Sequence, residues 1–502
     1  MATKGRGFVT RVLGALGLQR ATRNYYSGAA GGRLTADWIL GPASANDEVR
    51  ADGQTLRHRA RDLRRNNGIG ARFVKLQVHG ILGPSGVSLR AVVPNSRGQV
   101  NESASTAIET GWRQWGAADI CDVRGQMAWP EIERLVVETW KTDGEALVLL
   151  VPGYNNGWGF AVQVLDPDQL DDSYNVLESA TSNAISMGVE HDRTGRPIAY
   201  HILEKHPSDI AARIRRRVPA EQIIHIFTAS RPGQSRGITP FAPVMRSMKM
   251  LGGMQEALLV LMRTAACKMG FWIPNAQYDG PMPTAQNDVN RRMDAEPGLI
   301  EQGPPGYDFQ PWDPGQPGDN AAAFILESKR DIAAGLDVSH AALTGNLAEA
   351  NYGSQRVGMT LEREGYKRDT AYLARTLHDR VFAMWLSWAI LSGKVNVSAS
   401  IAQMGAEVAE WQARAFDWID PSKDIDAALM EVDAGLNSLT RIAASKGRDI
   451  NDVLAERAAE QEKAAALGVS LVLSKHSAGT TEPDAATPTP AAPVRLLREA
   501  LP

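Results

Sequence analysis

Cysteine is scarce in this 502-residue chain: Cys121 and Cys267 are the whole complement, and their separation fits no ligand motif. That excludes a disulfide-stapled scaffold and a zinc knuckle, and it fits a reducing compartment. Long apolar runs are missing too. The best, Ala257–Leu261, is followed closely by Arg263 and Lys268, far short of the roughly 20 residues a bilayer span needs. The expectation is a soluble, intracellular protein with no membrane partner. Charge of one sign is also lacking. A net charge of −3 argues against gripping DNA by broad phosphate neutralisation. It does not argue against a channel through which DNA slides, where many simultaneous phosphate pairs would slow release.

The signatures of common enzymes are absent as well. The chain has no GxxxxGK[ST] loop, no HExxH, no Cys-x-x-Cys and no GxSxG elbow at a strand–helix junction. The densest acidic cluster is Asp166, Asp168, Asp171 and Asp172, whose oxygens suit Mg²⁺. An enzyme that processes nucleic acid with Mg²⁺ would use Asp166, Asp168 and Asp172. The preferred reading is an Asp/Pro turn after the strand Val162–Leu165, because no second carboxylate group stands out as its partner. Histidines His201, His206 and His225 are scattered, and satisfied structural histidines are the expectation. Cys267 beside Lys268 reads as a packed helix thiol.

What the chain does have is basic clusters and long periodic segments. Arg57, Arg59, Arg61, Arg64 and Arg65 share one helical stretch, and Arg213, Arg215, Arg216 and Arg217 form a second run. Neither is interleaved with aromatics, so a solvated face or a subunit salt-bridge partner is preferred to a stacking platform for single strands. Residues 1–24 are basic, with Lys4, Arg6, Arg11, Arg20 and Arg23 around an apolar stripe, and read as a docking helix or a basic arm.

Periodicity gives the layout. Helical spacing covers about Asp47–Val78, broken by Asn66-Asn67-Gly68, and Leu76–Gly83 with Val87–Val93 alternates like a hairpin. Helices are expected at Ser105–Trp115 and Trp129–Asp143, and strands at Leu147–Val151, Phe160–Leu165, Ile198–Leu203 and Ile223–Phe227. Residues from about 48 to 238 thus form an α+β domain. A long helix, Phe241–Met269, leads into a Pro/Gly/Asp-rich insertion, Asn275–Asn320, with Gly298–Glu301 as its best strand. A helix returns at Ala321–Gly335, followed by loop-like residues to Tyr352. Ser354–Leu391 is a very long amphipathic helix of mixed charge, whose Leu373, Leu377, Phe382, Met384, Trp385 and Trp388 form an apolar stripe. An α-rich end, Pro421–Leu467, precedes an Ala/Pro/Thr tail expected to be disordered.

Several strings, in one order, resemble the lambda-type portal proteins of tailed bacteriophages. They are Tyr25-Tyr26-Ser27-Gly28-Ala29 with Trp38, then Leu56–Leu63 with Arg65-Asn66-Asn67-Gly68, then Asp192–Ile202 (DRTGRPIAYHI). Val218–Phe227 runs into RPGQSRG at Arg231–Gly237, and Gly335–Asn346 (GLDVSHAALTGN) follows with Tyr352-Gly353-Ser354. Trp418–Pro421, Lys423–Ala427, Gly435–Ser438 and Gly447–Asp449 close the series. The matches span roughly residues 20–470; the insertion and the residues beyond Leu467 depart from the pattern.

The resemblance implies an α+β portal fold with a wing over 25–238, stem helices at 239–269 and 321–335, and a clip over 270–320. It further implies a tunnel loop at 336–353, a long helix returning to the wing over 354–420, a crown at 421–470 and a tail at 471–502. By the same resemblance the assembly would be a ring of twelve copies at one capsid vertex, passing double-stranded DNA, with no catalysis and no cofactor. Its partners would be terminase, a head–tail connector and the major capsid or scaffold protein, in the host cytoplasm during assembly and then in the virion. Tunnel-loop residues Thr344, Asn346, Asn351 and Tyr352, with Lys329 and Arg330, would face DNA. Clip residues Tyr278, Asp279, Tyr307 and Trp312 would face terminase or connector. Twelve copies at −3 each carry roughly −36, a field that repels phosphate and limits sticking.

Overall fold

The computed structural model describes residues 42–209, 213–266, 270–274, 307–311, 319–346, 352–414, 416, 421–446, 448 and 450–468. Two compact units divide the chain, residues 1–419 and 420–502.

In the first unit Ser44 and Asp47 form a capping box that starts α1, Ala45–Asn66. Asn67 ends it and at once begins α2, Gly68–Ile81, by accepting from the Ile69 and Gly70 amides. The Leu76–Gly83 half of the expected hairpin is therefore helical. The alternation is deceptive because α2 carries glycines where neighbours crowd: a Cβ on Gly80 would lie 2.5 Å from the Tyr366 ring. The other half does form β1, Ser88–Ala91, but it pairs with a strand more than 300 residues away, β11, Ala409–Gln412.

Helix α3, Glu102–Trp115, the short α4, Ala118–Cys121, and α5, Trp129–Asp143, lead to β2, Glu145–Tyr154. Gly144 stops α5 at φ 92°, a left-handed conformation that glycine adopts without penalty. Strand β2 is central in an antiparallel sheet between β3, Gly159–Leu165, and β8, Ile223–Phe227. A second antiparallel sheet holds β4, Ala184–Ser186, β5, Val189–His191, β6, Pro197–Leu203, and β7, Arg215–Pro219, in that order.

Then come α6, Met245–Ala266, the strand pair β9, Gly270–Pro274, and β10, Tyr307–Pro311, and α7, Asp319–Gly335. The stretch expected to be loop contains α8, His340–Thr344, closed by Gly345 at φ 72°. The long helix is uninterrupted but not of one type. It comprises α9, Tyr352–Leu373, a π turn, Ala374–His378, and α10, Asp379–Leu391. After α10 and α11, Ala399–Met404, the chain reaches β11.

Among the described residues three cores hold the unit. The largest is aromatic: Trp112 contacts Trp115, Trp129, Phe382, Trp385 and Trp411 with ring centroids 4.9–5.8 Å apart. Leu373, Leu377, Phe382 and Trp385 are fully buried there, whereas Met384 and Trp388 pack at its edge. The second core joins α1 and α2 to the roots of α6 and α7 through Leu63, Phe73, Met248 and Ile332. The third fills the space between the two sheets.

The second unit contains α12, Pro421–Asp433, α13, Leu439–Ser445, and α14, Ile450–Ala466. The basic N-terminal arm, Cys267, the strand expected at Gly298–Glu301 and the tail from 471 lie outside the described residues. Among the described residues no helix is long and apolar enough to cross a membrane.

Candidate functional site

The RPGQSRG string ends in a buried arginine. Arg236 is 2% exposed, and its guanidinium reaches both oxygens of Glu145 from Nε at 3.0 Å and Oε1 from Nη2 at 2.6 Å. It also pairs with Asp172 and donates to the carbonyls of Pro167, Leu170 and Met187. The Gly237 amide donates to Glu145 Oε2 at 2.9 Å. One arginine thus ties the segment leading to α6 onto the first residue of β2 and onto the turn after β3.

Two arginines of α1 complete the network. Arg57 Nη1 donates to Glu145 Oε1 at 2.9 Å and Nη2 to Asp172 at 2.6 Å. Its Nε lies 2.7 Å from Asp168 Oδ1, an ion pair too bent to count as a hydrogen bond. Arg61 holds Asp143 with two nitrogens, at 2.9 and 2.6 Å, and reaches Asp166 and Asp168 at 2.8 and 2.6 Å. Arg64 pairs with Glu138 at 2.5 Å. The expectation of a solvated or intersubunit face is corrected for Arg57, Arg61 and Arg64. They run along the buried side of α1, opposite carboxylates of α5, β2 and the Asp/Pro turn.

The electrostatics follow from burial against pairing. Burial works against ionising Glu145, but Arg236 and His225 outweigh it and hold the carboxyl well below its ordinary range. His225 is pulled below its ordinary value because its burial outweighs the bond to Glu145; neutral, it donates Nε2–H to Glu145 Oε2 at 3.0 Å. Burial disfavours the charge on Arg61, yet Asp143, Asp166 and Asp168 raise it beyond titration. Glu145 is thus held ionised, His225 neutral and Arg61 charged near neutral pH, which suits a clamp and not proton transfer.

The structure does gather Asp166 and Asp168, with His206, within reach of one ion. Their oxygens already face Arg57 and Arg61, so a cation would have to displace guanidinium groups. Asp172 is turned to Arg57 and Arg236, and the segment is the expected turn, a single 3₁₀ turn at Pro167–Gln169. In the second basic run Arg215 pairs with Asp171 and Arg217 with Glu190. The hydrogen bonds from Arg217 lead in lowering the Glu190 carboxyl to about 2.

Of the residues expected to face DNA, Thr344 ends α8, its hydroxyl donating to the His340 carbonyl and accepting from the Asn346 amide. Arg330 on α7 pairs with Glu327 one turn away, and Lys329 is half-buried beside it. An open, largely apolar groove of about 780 Å³ brings Arg330 and Asn346 together with His340, Met359 and Tyr366. Tyr352 opens α9, and Asn351 lies outside the described residues. Of the clip residues, Tyr307 opens β10 opposite Pro274; Tyr278, Asp279 and Trp312 lie outside the described residues. Sequence reasoning missed Glu145 and Arg236. The available signals were a glutamate heading the apolar run Ala146–Val151 and an arginine held between Ser235 and Gly237.

The family described as "Phage portal protein, lambda family" matches residues 31–369. A probable portal protein of Halomonas phage phiHAP-1 is 30% identical over 432 residues, covering 84% of this chain and 83% of its own length. Portal protein B of Escherichia phage lambda is 24% identical over 495 residues, covering 90% and 91%. A chain from the virion of a native gene transfer agent particle is 16% identical at a TM-score of 0.43, covering 82% of this chain and 95% of that one. By the family match across most of its length and by the Halomonas phage relative, the chain belongs to the lambda family of phage portal proteins.

Proposed function

We propose that this portal-family chain is one subunit of a closed ring of twelve, set at a capsid vertex, through which double-stranded DNA enters and leaves. The observation that carries the ring is the outer part of the α6–α7 pair. The root of α6 is core, with Met245, Met248 and Leu251 against Ile332. Further along, Leu259, Val260 and Met262 are 56–69% exposed, with Met250 at 64% and Phe324 of α7 at 59%. An apolar surface of that extent on a helix pair is a protein contact, and a head-to-tail contact that closes makes a ring.

Within that reading no chemistry is assigned to the chain: the arginine–carboxylate network holds the α6–α7 pair to the α+β body. Thr344, Asn346, Asn351 and Tyr352, with Lys329 and Arg330, face the DNA. Tyr278, Asp279, Tyr307 and Trp312 belong to the surface that meets terminase and the connector. The capsid or scaffold protein holds the outer rim, and assembly takes place in the host cytoplasm before the ring becomes part of the virion. The test is the mass of the purified protein with negative-stain images of the same sample. Rings of about 650 kDa, twelve times 54.4 kDa, with a central hole are expected. A compact dimer that cuts DNA in Mg²⁺ would overturn the reading.

A further inference from the structure

The groove of about 780 Å³ that holds Arg330 and Asn346 has the volume of a small-molecule site. Its walls come from α2, α7, α8 and α9, and its apolar lining includes Leu76, Ala342, Met359, Tyr366 and Phe416. The carboxylate among its described lining residues is already engaged. Glu362 accepts from the Tyr366 hydroxyl at 2.5 Å and, on its other oxygen, from the Ser339 hydroxyl at 2.8 Å. Arginines converge on the same place. Arg363 and Arg414 both lie against the Phe416 ring, their guanidinium carbons 5.2 and 4.8 Å from its centre, and Arg414 also donates to the His79 carbonyl. Among the described residues Arg363 meets that ring and no carboxylate. Two like charges held at one ring, beside an apolar groove whose acid is spent, leave a place where an anion is favoured.

We propose that this groove binds a small amphipathic anion, its apolar body along Met359, Tyr366 and Phe416 and its carboxylate, sulfonate or phosphate head on Arg363. The lining selects both parts of such a molecule. An apolar body replaces water over the aromatic and aliphatic wall, and a charged head gives Arg363 the charge-assisted hydrogen bonds it lacks. Arg330 and Asn346 stand in the same wall, so an occupant rests against α8, the helix that ends at Thr344. The site lies within one chain and does not rest on the ring reading.

The experiment titrates the full-length protein with two fluorescent probes that share an apolar aromatic body. Anilinonaphthalene sulfonate carries an anionic head, and phenyl naphthylamine is uncharged. Monomer and ring fractions are titrated separately. The expected result is saturable binding of both probes, with Arg363→Gln weakening the sulfonate about tenfold and leaving the neutral amine within about twofold. A Cβ on Gly358 of α9 would meet nothing within 4 Å. Gly358→Trp can therefore fill the groove and should weaken both probes at least about tenfold. An unchanged sulfonate affinity in Arg363→Gln, or an equal loss of both probes, would overturn the anionic head. Binding untouched by Gly358→Trp would place the probes elsewhere, as on the exposed apolar residues of α6 and α7, and overturn the site. Absence of saturable binding would do the same. Binding by monomers that disappears in rings would give the groove to a neighbouring copy, overturning the proposal and leaving the ring reading in place.

Discussion

Gly237 crosses Gly144 so closely that a Cβ on Gly237 would fall 2.2 Å from the Gly144 carbonyl oxygen. The reverse holds as well, because a Cβ on Gly144 would fall 2.2 Å from the Ile238 carbonyl carbon. Backbone cannot yield as the end of a side chain does. Gly237→Ala is therefore expected to destabilise the chain by at least about 1–3 kcal/mol. Gly144→Ala should cost more, since it adds strain at φ 92°. Urea midpoints of the two variants, against Gly195→Ala as a left-handed glycine with open space around it, separate crowding from backbone strain.

Glu145 is the common acceptor of Arg57, Arg236, His225 and the Gly237 amide. Glu145→Gln keeps the shape but leaves two buried guanidinium groups short of a counter-charge, a loss of about 3–5 kcal/mol. Asp172→Asn, at a side chain 31% exposed, should lose clearly less. Thermal unfolding of both variants checks the order; an equal loss would count against Glu145 as the centre.

His225 and Glu145 act in the same direction as pH falls. A histidine held below its ordinary 6.5 is neutral when folded and takes a proton on unfolding, so its contribution drops as pH goes below about 6.5. A carboxyl held below 4.5 contributes above that value and loses its contribution on further acidification. The melting temperature should therefore fall from pH 7 to pH 5 and more steeply below. His225→Gln should be less stable at pH 7 and show a shallower fall to pH 5. Some slope should remain, because burial also lowers His191 and His201.

Leu259 and Phe324 are exposed at 69% and 59%. Leu259→Glu with Phe324→Glu should leave the unfolding free energy of the monomer within about 0.5 kcal/mol of the parent. The same pair should abolish rings seen by negative stain. Loss of folding would show that this face is packed within the chain.

Much of the order of elements was legible because the deciding signals were local. Trp129–Asp143 is periodic and ends at Gly144, and Ile223–Phe227 is a short apolar run between turns. What failed was long-range. Nothing near Ser88–Ala91 announces Ala409–Gln412 as its partner, and the alternation around Gly80 comes from a glycine that admits the Tyr366 ring. The arginines of α1 show the same limit. Their spacing places them on one helix, but whether that face meets solvent or carboxylates depends on Asp143, Glu145 and Asp168, some 80 to 110 residues on. The acidic turn was read correctly as a turn, because Asp-Pro-Asp is a local signal, whereas its role as counter-ion to Arg57 and Arg61 is not.

The π turn at Ala374–His378 has a geometric consequence for comparing relatives. His378 is fully buried there against Glu133, with its Nδ1 toward the Leu373 carbonyl. A π turn holds one residue more than the α turn it replaces, and one residue is about 100° of rotation around the axis. The half before it, α9, is thereby phased differently from the half after it, α10, whose Phe382 and Trp385 face the aromatic core. A relative with a plain α-helix at this point would need a one-residue gap between Leu373 and Asp379 to bring both halves into correspondence. An ungapped comparison would match one half face to face and set the other about 100° out of phase, equating solvent-facing positions with core positions.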